Sequence, residues 1–380
     1  MSASNYWLVA EKALIGRDWL SPAYLHIVEG RIQTISHQPP TQEQVHQAGE
    51  GLLVPGFIDV QVNGGGGVLL NDSPSREGIR QIFSAHAQFG TTAMLPTLIT
   101  DSVEVMRQTA EAIAEAIADN EPGIVGVHFE GPHMSLAKRG VHSPAYLREL
   151  SEQEMAVFAR QDLGAKVITL APEVVSPEQI RQLVSMGVRV CLGHSNATAS
   201  QVQSALEAGA CGFTHLYNGM SALTSREPGM VGTALADADS WCGLILDGHH
   251  VHPLSAKLAI RAKGIEKIML VTDAMPPVGT NQTDFAFYGE RVVREGSKLT
   301  APSGSLAGSV LDMAGAVRYV VQTLHLPLNQ AVYMASASPA AFLGMSTQLG
   351  SLEAGKRADM LLLNADLKVQ RSWIAGHPLN

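Results

Sequence analysis

Eight compact apolar runs follow one another between residues 56 and 274, and most of them are separated by a segment with the amphipathic pattern of a helix. Continuous apolar strands that alternate with helices indicate a parallel sheet covered on both faces. The runs are GFIDVQVN (56–63), TTAMLP (91–96), GIVGVHFE (123–130), KVITLAPE (166–173), VRVCLGH (188–194), CGFTHLYN (211–218), CGLILDG (242–248) and KIMLVTDA (267–274).

Eight such units over roughly 220 residues fit an α/β fold of the TIM type, a (β/α)8 barrel. The alternative is an open doubly wound sheet, whose first strand is followed by a G-x-G-x-x-G turn. Here the first run continues into GGGG (64–67) instead. The barrel is therefore the favoured architecture, and its predicted range is 54–347.

Both ends of the chain show a strand pattern that differs from the barrel rhythm. YWLVAEKALI, AYLHIVEG and RIQTIS alternate with turn signals near the start, and GSLEAGKRADMLLLNADLKVQRSWIAG follows near the end. Alternation of apolar and polar residues is typical of antiparallel strands with one exposed face. We therefore expect residues 1–53 and 348–380 to pair into one small β-sandwich domain.

The charge balance and the cysteines narrow the class of protein. With 26 Lys and Arg against 35 Asp and Glu, the formal net charge is −9, which argues against nucleic acid or an anionic membrane as the main partner. Only 16% of the residues are charged, which fits either a buried subunit interface or a large core. The three cysteines form no C-x-x-C pair, and no signal peptide or membrane span is evident. These features predict a cytoplasmic protein with free thiols.

Glu130, His194 and His215 stand at the ends of the third, fifth and sixth runs. Functional residues of a (β/α)8 barrel lie at the carboxyl ends of its strands, so these three side chains are expected to converge at the barrel mouth. Two imidazoles and one carboxylate form a common catalytic zinc set, with a fourth position left for water or substrate. The alternative is three unrelated polar residues of the core.

Asp273 ends the eighth run and is expected to face the same mouth. It is a candidate general base for an attacking water. An Asp in this position also commonly caps a following helix, but the next residues, AMPPVG, do not have a helical pattern. Asp59 in the first run either lines the mouth or braces its strand. HHVH (249–252) is better explained by substrate contacts or surface histidines than by a metal cluster.

Taken in order, these motifs resemble those of the N-acetylglucosamine-6-phosphate deacetylases of the amidohydrolase superfamily. The similar stretches cover nearly the whole chain and are PGFIDVQVNGGGG, LPTLIT, HFEGPH, LAPE, GHSNAT, THLYNGM, REPGMVG, DGHHV, VTDAM, LAGS and GSLEAGKRAD. The resemblance implies a TIM-type barrel with a small β-sandwich from both termini. It also implies a hydrolase that removes the acetyl group from N-acetyl-D-glucosamine 6-phosphate.

The same resemblance assigns roles to residues of this chain. Glu130, His194 and His215 become the metal ligands, and Asp273 becomes the base that later protonates the leaving amine. His142 becomes the group that hydrogen-bonds the amide oxygen. Asn218, His250 and Arg226 become contacts to the sugar phosphate, and Arg226 reaches in from a neighbouring subunit, which implies a homodimer. From the sequence without the resemblance, Arg226 is equally well a surface residue.

One departure from the superfamily pattern limits the number of metal ions. Many amidohydrolases carry His-x-His at the end of the first strand, where this chain has Gln61-Val62-Asn63. Amides are poor ligands for a zinc-class ion, so we expect one divalent ion per chain, with Zn2+ as the favoured metal. The alternatives to the glucosamine substrate are the galactosamine epimer and a non-catalytic scaffold. A scaffold is disfavoured because all four site residues are present.

Overall fold

The computed structural model describes residues 5–41 and 45–379. Its centre is a parallel sheet of eight strands in which each strand pairs with the next one along the chain. The barrel strands 1 to 8 are, in order, Phe57–Val62, Thr91–Ile99, Gly126–Glu130, Ala165–Leu170, Val188–Leu192, Gly212–Phe213, Trp241–Leu244 and Ile268–Leu270. Each of the eight apolar runs therefore overlaps one barrel strand, and the predicted fold class is confirmed.

Strands 8 and 1 close the barrel through a short seam rather than a full ladder. A single bridge joins Val62 to Ala274. The Asp273 backbone N–H donates to the Gln61 carbonyl at 3.0 Å, and the Asn63 N–H donates to the Ala274 carbonyl at 3.0 Å. The carboxyl ends of strands 1 and 8 are thus held side by side.

Helices surround the barrel, and several of them begin after a short polar side chain that accepts from one of their first free N–H groups. Ser102, Ser176 and Thr198 each accept a hydrogen bond from the third residue of the helix that follows. The α-helices are Arg76–Ala87, Val103–Ala118, Glu152–Phe158, Pro177–Ser185, Ala199–Glu207, Gly229–Ala236, Pro253–Lys263, Met313–Gln322, Leu328–Ala335 and Ala337–Phe342. Among residues 5–41 and 45–379, no helix has both the length and the apolar character that a membrane crossing requires.

Strands from both chain ends form two further sheets, as the sequence pattern predicts. The four-stranded sheet contains Asn5–Ala10, Ala23–Val28, Arg31–Ser36 and Val45–Gln47. The six-stranded sheet contains Lys12–Ile15, Asp18–Leu20, Leu52–Pro55, Met360–Leu363, Val369–Ile374 and His377–Leu379. A shared apolar cluster that includes Leu25 and Leu362 lies between them.

The domain limits stay a prediction. The proposed limit after residue 53 falls inside the strand Leu52–Pro55. Residues 1–4, 42–44 and 380, which the predicted small domain includes, lie outside the described chain.

Two small sheets that the sequence analysis does not predict lie after strands 1 and 8. The first is a hairpin of Gly64–Gly65 and Val68–Leu69, so the GGGG segment forms a tight turn. The second has three strands, Asp284–Phe287, Glu290–Glu295 and Lys298–Thr300, and its apolar face packs near the barrel mouth.

Lys166 holds three chain segments together at the amino-terminal end of strand 4. Its buried Nζ donates to the carbonyls of Phe158, Arg160 and Met186 at 2.7, 2.6 and 2.9 Å. Phe158 ends one helix and Met186 follows another, so the ammonium group satisfies carbonyls that helix ends leave free.

We expect Lys166→Met to lower the free energy of unfolding by about 2–4 kcal/mol, because hydrogen bonds from a charged donor contribute roughly 1.5–3 kcal/mol each. Thermal and urea unfolding measure the change. Lys368→Met removes an exposed lysine and is the matched control, with an expected change within about 0.5 kcal/mol. Equal unfolding midpoints for the two variants would contradict this role of Lys166.

Candidate active site

A cavity of about 270 Å3 opens at the carboxyl ends of the barrel strands. Five residues singled out from the sequence for metal binding or catalysis, Glu130, His142, His194, His215 and Asp273, line it. Two of the three predicted sugar-phosphate contacts, Asn218 and His250, line it as well. The other lining residues are Asn63, Ile99, Gly140, Val141, Gly219, Ile245, Met275, Phe287, Leu306 and Gly308.

Glu130, His194 and His215 converge on one point and are buried. Glu130 Oε1 lies 3.0 Å from His215 Nε2 and 3.3 Å from His194 Nε2, and the two Nε2 atoms are 3.0 Å apart. Donor atoms about 2.0–2.1 Å from one tetrahedral ion are separated by roughly 3.3 Å. The observed separations are close to that spacing, so this donor set fits one divalent ion.

The backbone and a second hydrogen bond orient these ligands. His194 and His215 have positive φ angles of 47° and 30°, which is uncommon for residues other than glycine and requires support from the surroundings. His194 Nδ1 lies 2.9 Å from the Lys138 carbonyl, which makes Nδ1 the protonated nitrogen and leaves the Nε2 lone pair facing Glu130. Burial opposes ionisation of Glu130, but its interactions with the two imidazole rings outweigh burial and hold its pKa well below the usual range.

Asp273 stands across from these ligands and is held by two amides. Asn63 Nδ2 and Gln61 Nε2 both donate to its Oδ1, at 2.7 and 3.1 Å. Gln61 Nε2 also lies 3.1 Å from Glu130 Oε2, so one amide bridges the two carboxylates. Burial, together with the negative charge of Glu130, raises the pKa of Asp273 to about 6. In the sequence, these two amides stand out only because they occupy positions where many amidohydrolases have metal-binding histidines. Their contact with Asp273 depends on closure of the barrel, which the sequence pattern does not show.

Asp59 braces the seam between strands 1 and 8, which decides between its two predicted roles. It is fully buried and does not line the cavity. Its carboxylate accepts from the Thr272 hydroxyl at 2.5 Å, and from the backbone N–H groups of Thr272 and Gln61 at 3.3 and 3.2 Å. Burial raises the pKa of this carboxyl to about 7. Asp59 thus fixes the residue directly before Asp273, whose own φ is 52°.

His142 lies over the ligands from the loop after strand 3. Its ring centroid is 4.4 Å from that of His194, and its Nδ1 lies 2.8 Å from Thr100 Oγ1. Burial lowers the pKa of His142 to about 3, so the ring is neutral. If the Thr100 hydroxyl donates to Nδ1, the remaining proton is on Nε2. Thr100 is a further residue that the sequence analysis missed, because its partner comes from a distant loop.

His128 occupies the barrel interior below the cavity and is not a ligand. Its Nδ1 lies 3.0 Å from the Val60 carbonyl and its Nε2 lies 2.7 Å from Thr169 Oγ1. The Thr169 hydroxyl is in turn 2.5 Å from that of Thr214. Burial lowers the pKa of His128 to about 4, so it serves as a neutral structural group beneath the site.

The predicted sugar-phosphate contacts occupy different surroundings. Asn218 and His250 line the cavity, and His250 Nδ1 lies 2.7 Å from Asp247 Oδ2. Arg226 lies in an exposed loop and does not line the cavity of its own chain. Within the described residues, no lysine or arginine lines this cavity.

The histidines next to His250 in the HHVH segment have separate hydrogen-bond partners. His249 Nε2 lies 2.9 Å from Ser297 Oγ, at the turn before the last strand of the three-stranded sheet. His252 Nδ1 accepts from the Leu254 N–H and caps the helix Pro253–Lys263. Neither ring lines the cavity.

Comparison with known proteins identifies the family of this chain. The model of the amidohydrolase family matches residues 52–379. The chain is 57% identical to an N-acetylgalactosamine-6-phosphate deacetylase of Shewanella sp. (strain ANA-3), over 93% of this chain and 89% of that protein. It is 38% identical to an N-acetylgalactosamine-6-phosphate deacetylase of Escherichia coli O157:H7, over 97% and 98% of the two chains.

Among solved structures, the N-acetylglucosamine-6-phosphate deacetylase of Pasteurella multocida superposes with a TM-score of 0.95 at 33% identity, covering 99% of this chain and 100% of that one. The chain therefore belongs to the amidohydrolase family, in the branch that contains the amino sugar 6-phosphate deacetylases. The family resemblance noted in the sequence is confirmed, and the chain is a hydrolase.

We expect one tightly bound divalent ion per chain, because three donor atoms converge on one point and amides stand where further histidines would hold a second ion. Elemental analysis of protein purified without added metal measures the ratio. His215→Ala is expected to lose the ion, whereas His249→Ala, which removes an exposed imidazole outside the cluster, is expected to keep it. Two tightly bound ions per chain, or none, would contradict the assignment.

Proposed function

We propose that this chain hydrolyses the acetamide of N-acetyl-D-galactosamine 6-phosphate, giving galactosamine 6-phosphate and acetate. The observation that carries the choice of epimer is the 57% identity to an N-acetylgalactosamine-6-phosphate deacetylase, against 33% to the N-acetylglucosamine-6-phosphate deacetylase of Pasteurella multocida. The proposal departs from the glucosamine epimer that the sequence motifs favoured. The two sugars differ only in the orientation of the C4 hydroxyl, which no motif in the chain records.

A divalent ion held at the three-residue site would supply the electrophilic part of the reaction. Glu130, His194 and His215 would hold the ion, for which Zn2+ is the favoured candidate because of the nitrogen-rich donor set. When bound there, a divalent ion supplies Lewis acidity that polarises the amide carbonyl and makes water more acidic.

Asp273 carries the proton from water to the leaving nitrogen. Its Oδ1 is occupied by the amides of Gln61 and Asn63, so Oδ2 is the atom that faces the reactants. Oδ2 takes a proton as the water oxygen bonds to the carbonyl carbon. It then gives that proton to the nitrogen as the C–N bond breaks, which releases acetate and the amine. A carboxyl with a raised pKa suits both steps, because it holds and releases a proton near neutral pH.

His142 is suited to stabilise the negative charge that develops on the carbonyl oxygen. A neutral imidazole with its proton on Nε2 donates a hydrogen bond into the cavity, while Thr100 fixes its other nitrogen. A donor that is already in place before the reaction stabilises the transition state without reorganisation.

The sugar and its phosphate are assigned to the side of the cavity that Asn218 and His250 line. A chain of net charge −9 needs a local positive charge to hold the dianionic phosphate. Within the described chain, no lysine or arginine lines the cavity to provide it. We therefore propose a homodimer in which Arg226 of one subunit reaches the neighbouring site. Leu223, in the same loop, is 53% exposed, and Leu254 and Leu258 are 70% and 54% exposed on a helix that packs beside Gly229–Ala236. Such exposed leucines fit a covered surface.

The test of the substrate assignment is a side-by-side assay of the two N-acetylhexosamine 6-phosphates with metal-loaded enzyme. We expect the galactosamine epimer to have the higher kcat/KM. Asp273→Asn is the blank, since it keeps the shape of the carboxyl but cannot accept a proton, and general acid–base catalysis contributes about 10²–10⁴-fold. A higher kcat/KM for the glucosamine epimer would reverse the assignment, and hydrolysis of neither would refute the proposed function.

Arg226→Ala is expected to reduce kcat/KM for the phosphorylated sugar by a factor that corresponds to about 2–4 kcal/mol in activation free energy. Removing one partner of a buried charge pair has a cost of this size. The unphosphorylated sugar should be scarcely affected, because it lacks the anion. Mixing Arg226→Ala chains with Asp273→Asn chains should restore up to about a quarter of the wild-type activity, since half of the dimers then contain one complete site. Equal losses of kcat/KM on the phosphorylated and unphosphorylated sugars would show that Arg226 has a structural role. A loss confined to the phosphorylated sugar, with no activity regained on mixing, would show that Arg226 binds the phosphate in the site of its own subunit.

A further inference from the structure

The cavity has two sides of different chemistry. On the side of strands 5 to 7, His194, His215, Asn218 and His250 present polar groups, and Ile245 is the apolar residue among them. On the side of strands 2 and 8, beyond Asn63 and Asp273, the lining includes four apolar residues, which we call the apolar wall: Ile99, Met275, Phe287 and Leu306. Ile99 ends strand 2, Met275 follows strand 8, and Phe287 and Leu306 come from the segment after strand 8.

The apolar wall is held in place by its surroundings. Asn71 fixes the backbone of Ile99 from both sides, donating to its carbonyl at 2.8 Å and accepting from its N–H at 3.3 Å. The Met275 N–H donates to the Ser309 carbonyl at 3.0 Å. Ile99, Met275 and Phe287 are all buried in one apolar cluster, so the wall has little freedom to retreat from a larger ligand.

The wall lies next to the reacting groups rather than at the rim of the cavity. Met275 is two residues beyond Asp273, and its Sδ is 3.6 Å from the same Asn63 Nδ2 that donates to Asp273. Ile99 pairs with the metal-site residue Glu130 across strands 2 and 3, and it directly precedes Thr100, the partner of His142. Whatever touches the wall is therefore close to the scissile bond.

This inference rests on the proposed function, because it uses the shape of an N-acyl amino sugar phosphate. The carbonyl carbon carries three groups in one plane: the oxygen, the nitrogen with its sugar, and the acyl chain. The oxygen is assigned to the metal ligands and His142, and the sugar to Asn218 and His250. The remaining direction, away from strands 6 and 7, leads to the apolar wall.

The polarity of the wall supports the same placement. Hydroxyl and phosphate groups pressed against Ile99, Met275 and Phe287 would lose water without gaining a hydrogen-bond partner, which is unfavourable. The acyl chain is the one part of the substrate without polar atoms beyond the carbonyl. We infer that the apolar wall is the acyl subsite and that Ile99 and Met275 restrict the enzyme to short acyl groups.

The test compares N-acetyl, N-propionyl and N-butyryl forms of the preferred hexosamine 6-phosphate. In the wild-type enzyme, kcat/KM should fall about tenfold or more for each added methylene, because a rigid apolar wall excludes it. Ile99→Ala opens the wall, so the ratio of butyryl to acetyl kcat/KM should rise at least about tenfold. Ile99→Val removes only one methylene group and should raise the ratio of propionyl to acetyl kcat/KM. This variant provides the test if the alanine variant does not fold.

Two control variants separate this role from general loosening of the protein. Ile245→Ala makes the same deletion on the strand 7 side of the cavity, and it should lower all three rates by a similar factor. Val292→Ala makes a deletion in the same apolar cluster but outside the cavity lining, and it should lower stability without changing the acyl ratios. Metal content, measured for every variant, should stay at the wild-type level.

The outcomes are distinguishable. Unchanged acyl ratios in both Ile99 variants would overturn the acyl subsite, as would a rise in the butyryl ratio for Ile245→Ala instead. No hydrolysis of any of the three acyl sugars by the wild-type enzyme would refute the proposed function itself. A crystal structure of Asp273→Asn with the butyryl substrate gives a direct reading, since the acyl chain should contact residue 99.

Discussion

The site depends on the seam where barrel strand 8 meets strand 1. Asp59 on strand 1 accepts the Thr272 hydroxyl and N–H, the Gln61 carbonyl accepts the Asp273 N–H, and the Ala274 carbonyl accepts the Asn63 N–H. These bonds close the barrel, and they also fix Asp273 in its positive-φ conformation opposite the metal ligands. The Asp59 carboxylate accepts three hydrogen bonds, and these lower the free-energy cost of burying it.

Two carboxylates near one another at the mouth of a barrel raise an electrostatic problem that the site resolves by giving them different partners. Glu130 is paired with the imidazoles of His194 and His215, which stabilise its ionised form. Asp273 receives only neutral amide donors, and its pKa stays raised by burial. Gln61 touches both groups. This division suits Glu130 to the proposed role of metal ligand and Asp273 to the proposed role of proton carrier.

The lining of the cavity contains no side chain of the described residues that would hold the phosphate of an anionic substrate by a permanent positive charge. Its polar side offers imidazoles and an amide, and its apolar side offers aliphatic and aromatic carbon. Neither side of the described chain provides a permanent positive charge. A cation contributed by a second subunit would make phosphate binding conditional on assembly, and the exposed leucines beside Arg226 lie where such a contact would be expected.

The sequence by itself determined the barrel and the strands of the two terminal sheets, and it predicted the residues of the candidate metal site. Strand rhythm is a local property, and in a barrel the carboxyl ends of the strands meet at one mouth, so Glu130, His194, His215 and Asp273 could be brought together without coordinates.

Tertiary structure decided the features that depend on distant partners. Asp59 stabilises the seam because Thr272 lies beside it and donates to its carboxylate. Gln61 and Asn63 orient Asp273 through hydrogen bonds to its Oδ1. Thr100 reached His142 across 42 positions of the chain. The positive φ angles at His194, His215 and Asp273 and the apolar wall around Ile99 have no local signature, because only the closed barrel and the segment packed over its mouth produce them.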